Sequence, residues 1–411
     1  MFPSKRFSTL CLLTRRVLTA CLFSSVAMHA HAFEAPNDGV YKDRIDWGII
    51  NDLSGPTSSQ GSAYALGLRS YLRTINENGG IHGRRINPLV EDDRYDAVLT
   101  RTTFEKLANQ TPVLGMSGFG TSSGIAALMP QVRRGKVAII SAMTTTTTAL
   151  EPPTPQFYSG FCDFNSMAKV AVGHFSDLQK KASPAVAIVY LDVASGKDFL
   201  GFAQAEVTKR GGTFTAIPIK VGAADATAQV LAMAAMKPDF VAMHGITGSG
   251  LVITRAMQQQ GVNVPVVMIA HQGVPQLYQA VGQDAGKNLH HVSCFTPGSA
   301  DNSPGVVEMR QTAEKYGHGT SADDGMYVAG WSSGYLVAEA IRRAGKEPTR
   351  EKLVANLNSD LTIDTRGVSG NVSYGPNNKA GTWGLRVYSY DYQAKRFKAH
   401  GNYADYAKYL K

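Results

Sequence analysis

Short apolar runs alternate with segments of helical periodicity from Ile45 onward. This alternation is typical of βαβ units, in which helices cover both faces of a parallel sheet. The first helical segment places Tyr64, Leu68 and Tyr71 on one face, and Gly79 is its stop signal. Strands are expected at 46–50, 86–90, 113–116 and 137–140, with helices between them. These elements predict one doubly wound α/β lobe.

A second series follows a proline-rich break at 152–155. Its strands are expected at 185–190, 213–217, 240–243 and 264–269, and its helices at 199–209, 226–236 and 250–259. An apolar run at 291–295 then leads into two helices, 305–316 and 325–344, which cannot form a domain alone and must pack on an earlier lobe. The fold class we predict is α/β, with two doubly wound parallel-sheet lobes.

The first 32 residues have the pattern of an export signal. Four cations precede an apolar run at 17–28, and Ala30-His31-Ala32 matches the small-x-small cleavage pattern. The run is too short for the roughly 20 residues that span a bilayer. We therefore expect a periplasmic protein that begins at Phe33. A lipobox-like stretch at 18–21 and a twin-arginine-like stretch at 14–18 leave two other export routes open.

Cleavage after Ala32 would remove 32 of the 411 residues and leave 379, more than one hydrophobic core usually supports, so two domains are expected. The removed segment holds four cations and no acids, so the formal net charge falls from +9 to +5. No cluster of basic residues interleaved with aromatics remains, and we expect no nucleic-acid partner. Cys162 and Cys294 stay in the mature chain, an even pair in an oxidising compartment.

A glycine-rich turn at 115–124 lies between an expected strand and an expected helix. Such a turn exposes backbone N–H groups at a helix N-terminus, which suit a carboxylate, phosphate or carbonyl oxygen. Its glycine spacing and the lack of an acid after the next strand argue against a dinucleotide, while a plain tight turn stays open. The five threonines at 144–148 either extend a strand, cap a turn or contribute hydroxyls to a site.

The sequence offers little for catalysis or metal binding. His290 and His291 are neighbours on an expected strand and point to opposite faces, so they cannot share one metal. His244 and His271 each follow a strand end, where we expect them to line a pocket. No Walker loop, His-Glu-x-x-His or Cys-x-x-Cys motif occurs, and the acids at 92–93 have the pattern of a salt-bridged turn. We expect no enzyme activity, no metal and no cofactor.

Several short motifs occur together in the mature chain: LSGP at 53–56, NENGGIHGR at 76–84, EDD at 91–93, the glycine and serine turn at 118–124, Ser141 at a strand end and GNVSY at 370–374. In this combination the chain resembles the leucine/isoleucine/valine-binding family of periplasmic receptors. The resemblance implies two lobes joined by three crossovers, with lobe I formed by 33–160 and 295–363 and lobe II by 161–294 and 364–411. It also implies a monomer that captures a small-molecule ligand between its lobes and delivers it to an inner-membrane ABC permease.

The resemblance further implies which residues hold the ligand. In the amino-acid-binding members, a serine of the glycine turn, together with backbone and threonine groups after the next strand, grips the ligand's carboxylate. The matching positions are Thr121 or Ser122, and Met143 with Thr144 or Thr145, so the oxygen grip is retained.

The other half of that family pattern is altered. The acid that accepts the ligand's ammonium aligns with Gln272, the first-loop aromatic with Gln60, and the lobe II aromatics with Ser195 and Ile246. A neutral glutamine cannot make the charge-assisted bond that a buried ammonium needs. We therefore expect a ligand with a carboxylate or several oxygens but no free α-amino group, such as an organic or aromatic acid. Asp163 or Asp192 is the alternative source of negative charge.

The family layout also places the first crossover near 161–164 and the second near 293–297, side by side. It thereby implies a disulfide between Cys162 and Cys294, with two buried free thiols as the other possibility. The same fold also serves as a ligand-sensing module for membrane signalling partners, and this alternative to transport stays open.

Overall fold

The computed structural model describes residues 38–359 and 361–411, and the expected signal at 1–32 lies outside them. The first sheet has five parallel strands in the order β2-β1-β3-β4-β5. They are β1 Arg44–Asn51, β2 Arg85–Asp92, β3 Gly115–Gly118, β4 Ala138–Ala142 and β5 Phe157–Ser159. Helices α1 Ser58–Glu77, α2 Ala97–Glu105, α3 Ser122–Arg134 and α4 Thr147–Leu150 connect them, with a π-helical turn at Lys106–Gln110.

The second sheet has seven strands in the order β15-β14-β10-β9-β8-β6-β7. Its strands are β6 Ala185–Leu191, β7 Thr213–Ile219, β8 Phe240–Met243, β9 Val266–Ile269, β10 Leu289–Ser293, β14 Arg386–Asp391 and β15 Arg396–His400. The helices around it are α5 Phe164–Leu178, α6 Ala194–Lys209, α7 Thr227–Met236, α8 Thr247–Gln259, α9 Pro275–Val281, α10 Gln283–Gly286 and α14 Tyr403–Tyr406. The five strands β6 to β10 are parallel to one another, as predicted for a doubly wound lobe. Strands β14 and β15 add an antiparallel edge that the sequence analysis did not predict.

The remaining elements are α11 Pro304–Lys315, α12 Gly325–Arg343, α13 Arg350–Asn358 and a small antiparallel sheet of β11 Leu361–Ile363, β12 Val372–Gly375 and β13 Asn378–Trp383. Helix α12 packs along α1 of the first lobe at very close range. A Cβ added to Gly330 would lie 2.0 Å from the carbonyl oxygen of Tyr64, and one added to Gly67 would lie 2.0 Å from that of Tyr327. Glycine on both helices is therefore what lets their backbones touch.

Three stretches of chain connect the two large sheets and lie beside one another. A disulfide joins Cys162 after β5 to Cys294 after β10, with their Cα atoms 5.9 Å apart. Phe295 forms a β-bridge with Ser369, which ties the second stretch to a later one. The chain enters the seven-stranded sheet for the last time between β13, which packs on β5, and β14. The boundary expected at 363 falls at the end of β11, inside the small antiparallel sheet, and the division into lobes at that residue stays a prediction.

Candidate ligand-binding cleft

A cleft lies where the carboxyl ends of the parallel strands of both sheets face each other, the edge at which open α/β sheets bind ligands. It encloses a cavity of about 40 Å³. The residues that line it are Asn51, Asp52, Thr57, Gln60, Gly61, Tyr95, Gly120, Met143, Thr144, Phe164, Leu191, Ser195, His244, Gly245, Ile246 and His271. The first nine come from the loops of the five-stranded sheet, and six of the other seven follow β6, β8 or β9. This is the position of a small-molecule site in such folds, and the two walls leave little space between them.

The wall on the side of the five-stranded sheet is built around Asp52, which follows β1 and is buried. One of its oxygens accepts hydrogen bonds from the backbone N–H of Thr57 at 2.7 Å and from the Thr57 hydroxyl at 2.8 Å. The other accepts the backbone N–H of Gly55. Gly61 brings α1 down onto this loop, since a Cβ there would lie 2.0 Å from the carbonyl oxygen of Asp52. The carboxylate thus fixes the start of α1 and is already satisfied by protein donors.

The opposite wall is aromatic and contains two buried imidazoles. His244 packs edge-on against Phe164, with ring centroids 5.1 Å apart, and His271 stacks on Phe161 at 4.7 Å. Burial lowers the pKa of His244 to about 3 and the pKa of His271 to about 4, so both rings are neutral at pH 7. The sequence analysis placed both histidines in a pocket lining, and the structure places them there.

Hydrogen bonds cross the cleft and hold the two walls together. The side-chain amide of Gln60 donates to the carbonyl oxygen of His271 at 2.6 Å. His271 Nε2 lies 3.1 Å from the carbonyl oxygen of Met143. Because a carbonyl only accepts, Nε2 carries the ring proton and Nδ1 is an acceptor, for which the described residues supply no partner.

The structure brings five of the predicted ligand residues to the cleft surface and leaves five behind it. Those that line the cleft are Gln60, Met143, Thr144, Ser195 and Ile246, whereas Thr121, Ser122, Thr145, Asp163 and Gln272 do not. The roles of all ten toward a ligand stay predictions, because the geometry reports position and not binding.

Local bonding explains why some of these side chains lie behind the wall. The Thr121 hydroxyl donates to the buried carboxylate of Asp93 at 3.1 Å, so it is turned away from the cleft. Asp163 caps α5 by accepting the backbone N–H of Ser166 at 2.8 Å and its hydroxyl at 2.6 Å. Gln272 is fully buried beneath Gly245 and Gly250. Of the two acids expected in a salt-bridged turn at 92–93, Asp92 pairs with Arg94 at 3.8 Å, whereas Asp93 accepts the hydroxyls of Thr100 and Thr121.

The electrostatic character of the cleft is close to neutral. No Lys or Arg is among the lining residues of the described chain, and Asp52 is the one acid among them. Asp192, the other acid considered, is exposed and pairs with Lys197 at 3.1 Å. The N-cap residues of α1 and α6, Thr57 and Val193, accept no side-chain capping bond in the structure. At α1 the N–H groups of Thr57 and Ser58 already donate to Asp52 and Gly55, whereas the N-terminal N–H groups of α6 suit ligand oxygens without a cation.

Two local features escaped the sequence analysis. Asn51, Asp52 and Phe164 line the cleft, and the signal for the first two is their place directly at the end of β1, ahead of LSGP. Residues 120–124 also match the Gly-x-Ser-x-Gly pattern of hydrolase elbows. Ser122 at its centre is buried at the start of α3 and makes no hydrogen bond to a histidine of the described chain. In those residues no group of three or more His, Cys, Asp or Glu could hold a metal ion, and none of their helices is long and apolar enough to cross a membrane.

A family model described as periplasmic binding protein matches residues 45–396. Similar solved structures include a fatty acid ABC transporter substrate-binding protein from Thermomonospora curvata (22% identity, 90% of this chain and 95% of that chain covered, TM-score 0.79). A branched-chain amino acid ABC transporter protein from Thermus thermophilus with bound valine is also similar (18% identity, 88% of this chain and 97% of that chain covered, TM-score 0.80). A third similar structure is a solute-binding protein from Rhodopseudomonas palustris BisB5 in complex with 3,4-dihydroxybenzoic acid (20% identity, 88% of this chain and 97% of that chain covered, TM-score 0.74). These structures establish the fold, and no curated protein matches the sequence.

Proposed function

This chain belongs to the periplasmic binding protein family, in the group that includes leucine-binding proteins, and on that premise we propose that it captures a small acid in the interlobe cleft and delivers it to an ABC permease. In this proposal the protein is exported, cleaved after Ala32 and monomeric, and it releases its ligand unchanged. The observation that carries the proposal is a cleft at the strand ends of two α/β lobes. Neutral imidazoles line this cleft, and its lining residues in the described chain include no Lys or Arg.

The ligand we propose has a carboxylate or several oxygens and no free α-amino group. A buried ammonium needs a carboxylate that is free to accept it. Asp52 already accepts three protein donors, Asp163 caps a helix and Asp192 pairs with Lys197. The rings of Phe164 and His244 on one wall and of Tyr95 on the other suit a flat ring. Two proteins of this fold bind 3,4-dihydroxybenzoic acid and 4-hydroxybenzoate, which supports an aromatic acid as the first candidate.

A thermal-shift screen of the mature protein against amino acids, organic acids and aromatic acids tests the proposal. A ligand at 100 times its dissociation constant adds about 2.7 kcal/mol of stability, which is readily measured. We expect hits among the acids that lack an amine. The variant Ser195→Trp, which fills the cleft at the start of α6, should abolish them, whereas Ser183→Trp on the exposed surface should not. Hits that survive Ser195→Trp would show that the ligand binds elsewhere.

A further inference from the structure

Three hydrogen bonds between described residues join the two lobes across the cleft, besides the one from the Gly325 N–H to the Gly273 carbonyl at 3.0 Å. Two are the bonds from Gln60 to the His271 carbonyl, at 2.6 Å, and between His271 Nε2 and the Met143 carbonyl, at 3.1 Å. In the third, a carboxylate oxygen of Asp198 on α6 accepts the backbone N–H of Thr147 at 2.7 Å. Thr147 is the first residue of α4, whose N-cap residue Thr146 provides no side-chain cap. An acid of the second lobe therefore caps a helix of the first.

These bonds can form only when the cleft is closed, since opening the cleft would separate each donor from its acceptor. The partners would then bond to water, so each pair contributes a modest free energy to the closed state. Gln60 is nearly buried, and its bond is made in the water-poor part of the cleft. Asp198 and Thr147 meet nearer the surface, where an ionised acceptor still strengthens a bond to a helix N-terminal N–H.

We propose that Gln60 and Asp198 are positioning residues that fasten the cleft shut, so that the protein closes part of the time before any ligand arrives. The inference goes beyond the proposed function, because it assigns the energy of closure to contacts between the lobes. It also gives Gln60 a role different from the ligand contact expected from the sequence. Ligand affinity then includes the free energy of these bonds, since a closed site that is populated in advance lowers the apparent dissociation constant.

Small-angle scattering of the ligand-free mature protein tests the inference. Gln60→Glu keeps the size of the side chain but replaces the donor with an acceptor that repels the His271 carbonyl. Asp198→Ala removes the cap of α4, and Asp198→Asn retains an acceptor oxygen. We expect a larger radius of gyration for Gln60→Glu and Asp198→Ala than for wild type, with Asp198→Asn between them. The matched control is Gln229→Glu, the same chemical change at a half-buried glutamine that bonds within the second lobe, and it should leave the scattering unchanged.

Scattering curves for Gln60→Glu and Asp198→Ala that superimpose on the control would overturn the inference. Circular dichroism and thermal unfolding identify a variant that fails to fold, and in that case hydrogen exchange of the Thr147 amide in Asp198→Asn and wild type decides the question. Faster exchange in Asp198→Asn supports the bond, and equal exchange contradicts it. Because no ligand is used, failure here leaves the proposed function intact. Any ligand from the screen should bind the opened variants about 3- to 10-fold more weakly, the loss expected for one hydrogen bond.

Discussion

At the scale of single residues, four histidines are held as neutral rings inside the protein. Burial lowers the pKa of His244 and His291 to about 3 and that of His271 and His290 to about 4. The unfolded chain binds protons at these rings below about pH 6.5, and the folded protein does not until the pH is much lower. Unfolding therefore takes up protons in this range. The free energy of unfolding is therefore highest above about pH 6.5, and it falls as the pH drops toward 4.

A substitution of one ring should remove its share of this pH dependence. His271→Gln keeps a donor for the Met143 carbonyl but cannot titrate. Between pH 7.5 and 5, we expect the variant to lose about 2 kcal/mol less stability than wild type, since each pKa unit corresponds to about 1.4 kcal/mol. Urea unfolding at both pH values measures the difference. His82→Gln, at an exposed histidine, is the control, and an identical loss in wild type and both variants would contradict the neutral ring.

Residue identity alone could not settle which predicted side chains reach the cleft. Position at a strand end correctly placed His244 and His271 in the lining, and Met143 and Thr144, which the family resemblance implied, line it too. Thr121 lies at the end of a similar loop, but the buried carboxylate of Asp93 takes its hydroxyl, and that partner is 28 residues away in the chain. Which neighbour a hydroxyl finds is decided by tertiary packing, and no local pattern reports it.

At the scale of elements, hydrophobic period predicted most of both parallel sheets and failed where period carries little information. Helix α5 is an exception, because it was not predicted although its period is clear, with Asn165, Lys169 and Asp177 outside the buried face. Strands β11 to β15 are short antiparallel strands, and the pairing of β14 with β10 depends on the fold of the preceding chain. The alternation of strand and helix ends at β10, and the prediction of strands ended with it.

The contact between α1 and α12 makes a test at this scale. Gly330→Ala would place a methyl group 2.0 Å from the Tyr64 carbonyl, so the helices must separate. We expect a loss of about 3 kcal/mol in the free energy of unfolding, the upper part of the range for overpacking. The control is Gly201→Ala on α6, where nothing lies within 4 Å and alanine should stabilise the helix by about 0.5 to 1 kcal/mol. Equal effects of the two substitutions in urea unfolding would refute the close contact.

The disulfide between the connecting stretches makes a second test. Cys162 and Cys294 are 132 residues apart in sequence, and a bond that closes so long a loop stabilises a protein by about 2 to 4 kcal/mol in typical cases. The double variant Cys162→Ala/Cys294→Ala should lose about this free energy of unfolding and should unfold at a lower temperature than wild type. Thiol titration of wild-type protein, denatured without reductant, should find no free thiol. Two free thiols would refute the bond.

At the scale of the whole molecule, two α/β lobes meet at their strand ends and are tied on one side by the three connecting stretches. The cleft lies beside these connections, since Phe164 follows the first of them and lines it, and rotation about the connections would open and close the cleft. Ligand bound there is enclosed by both walls at once. A neutral, partly aromatic interior favours a ligand whose charge is met by helix N-terminal N–H groups, and it disfavours one that brings an ammonium into a site without a free carboxylate.

Titration calorimetry of the mature protein tests this account most directly. With an acid identified by the thermal-shift screen, we predict one binding site per chain and a dissociation constant near 1 μM, about −8 kcal/mol. Leucine, isoleucine and valine should produce no binding heat under the same conditions. Tight binding of any of these three amino acids, with no binding of their deaminated analogues, would contradict the account.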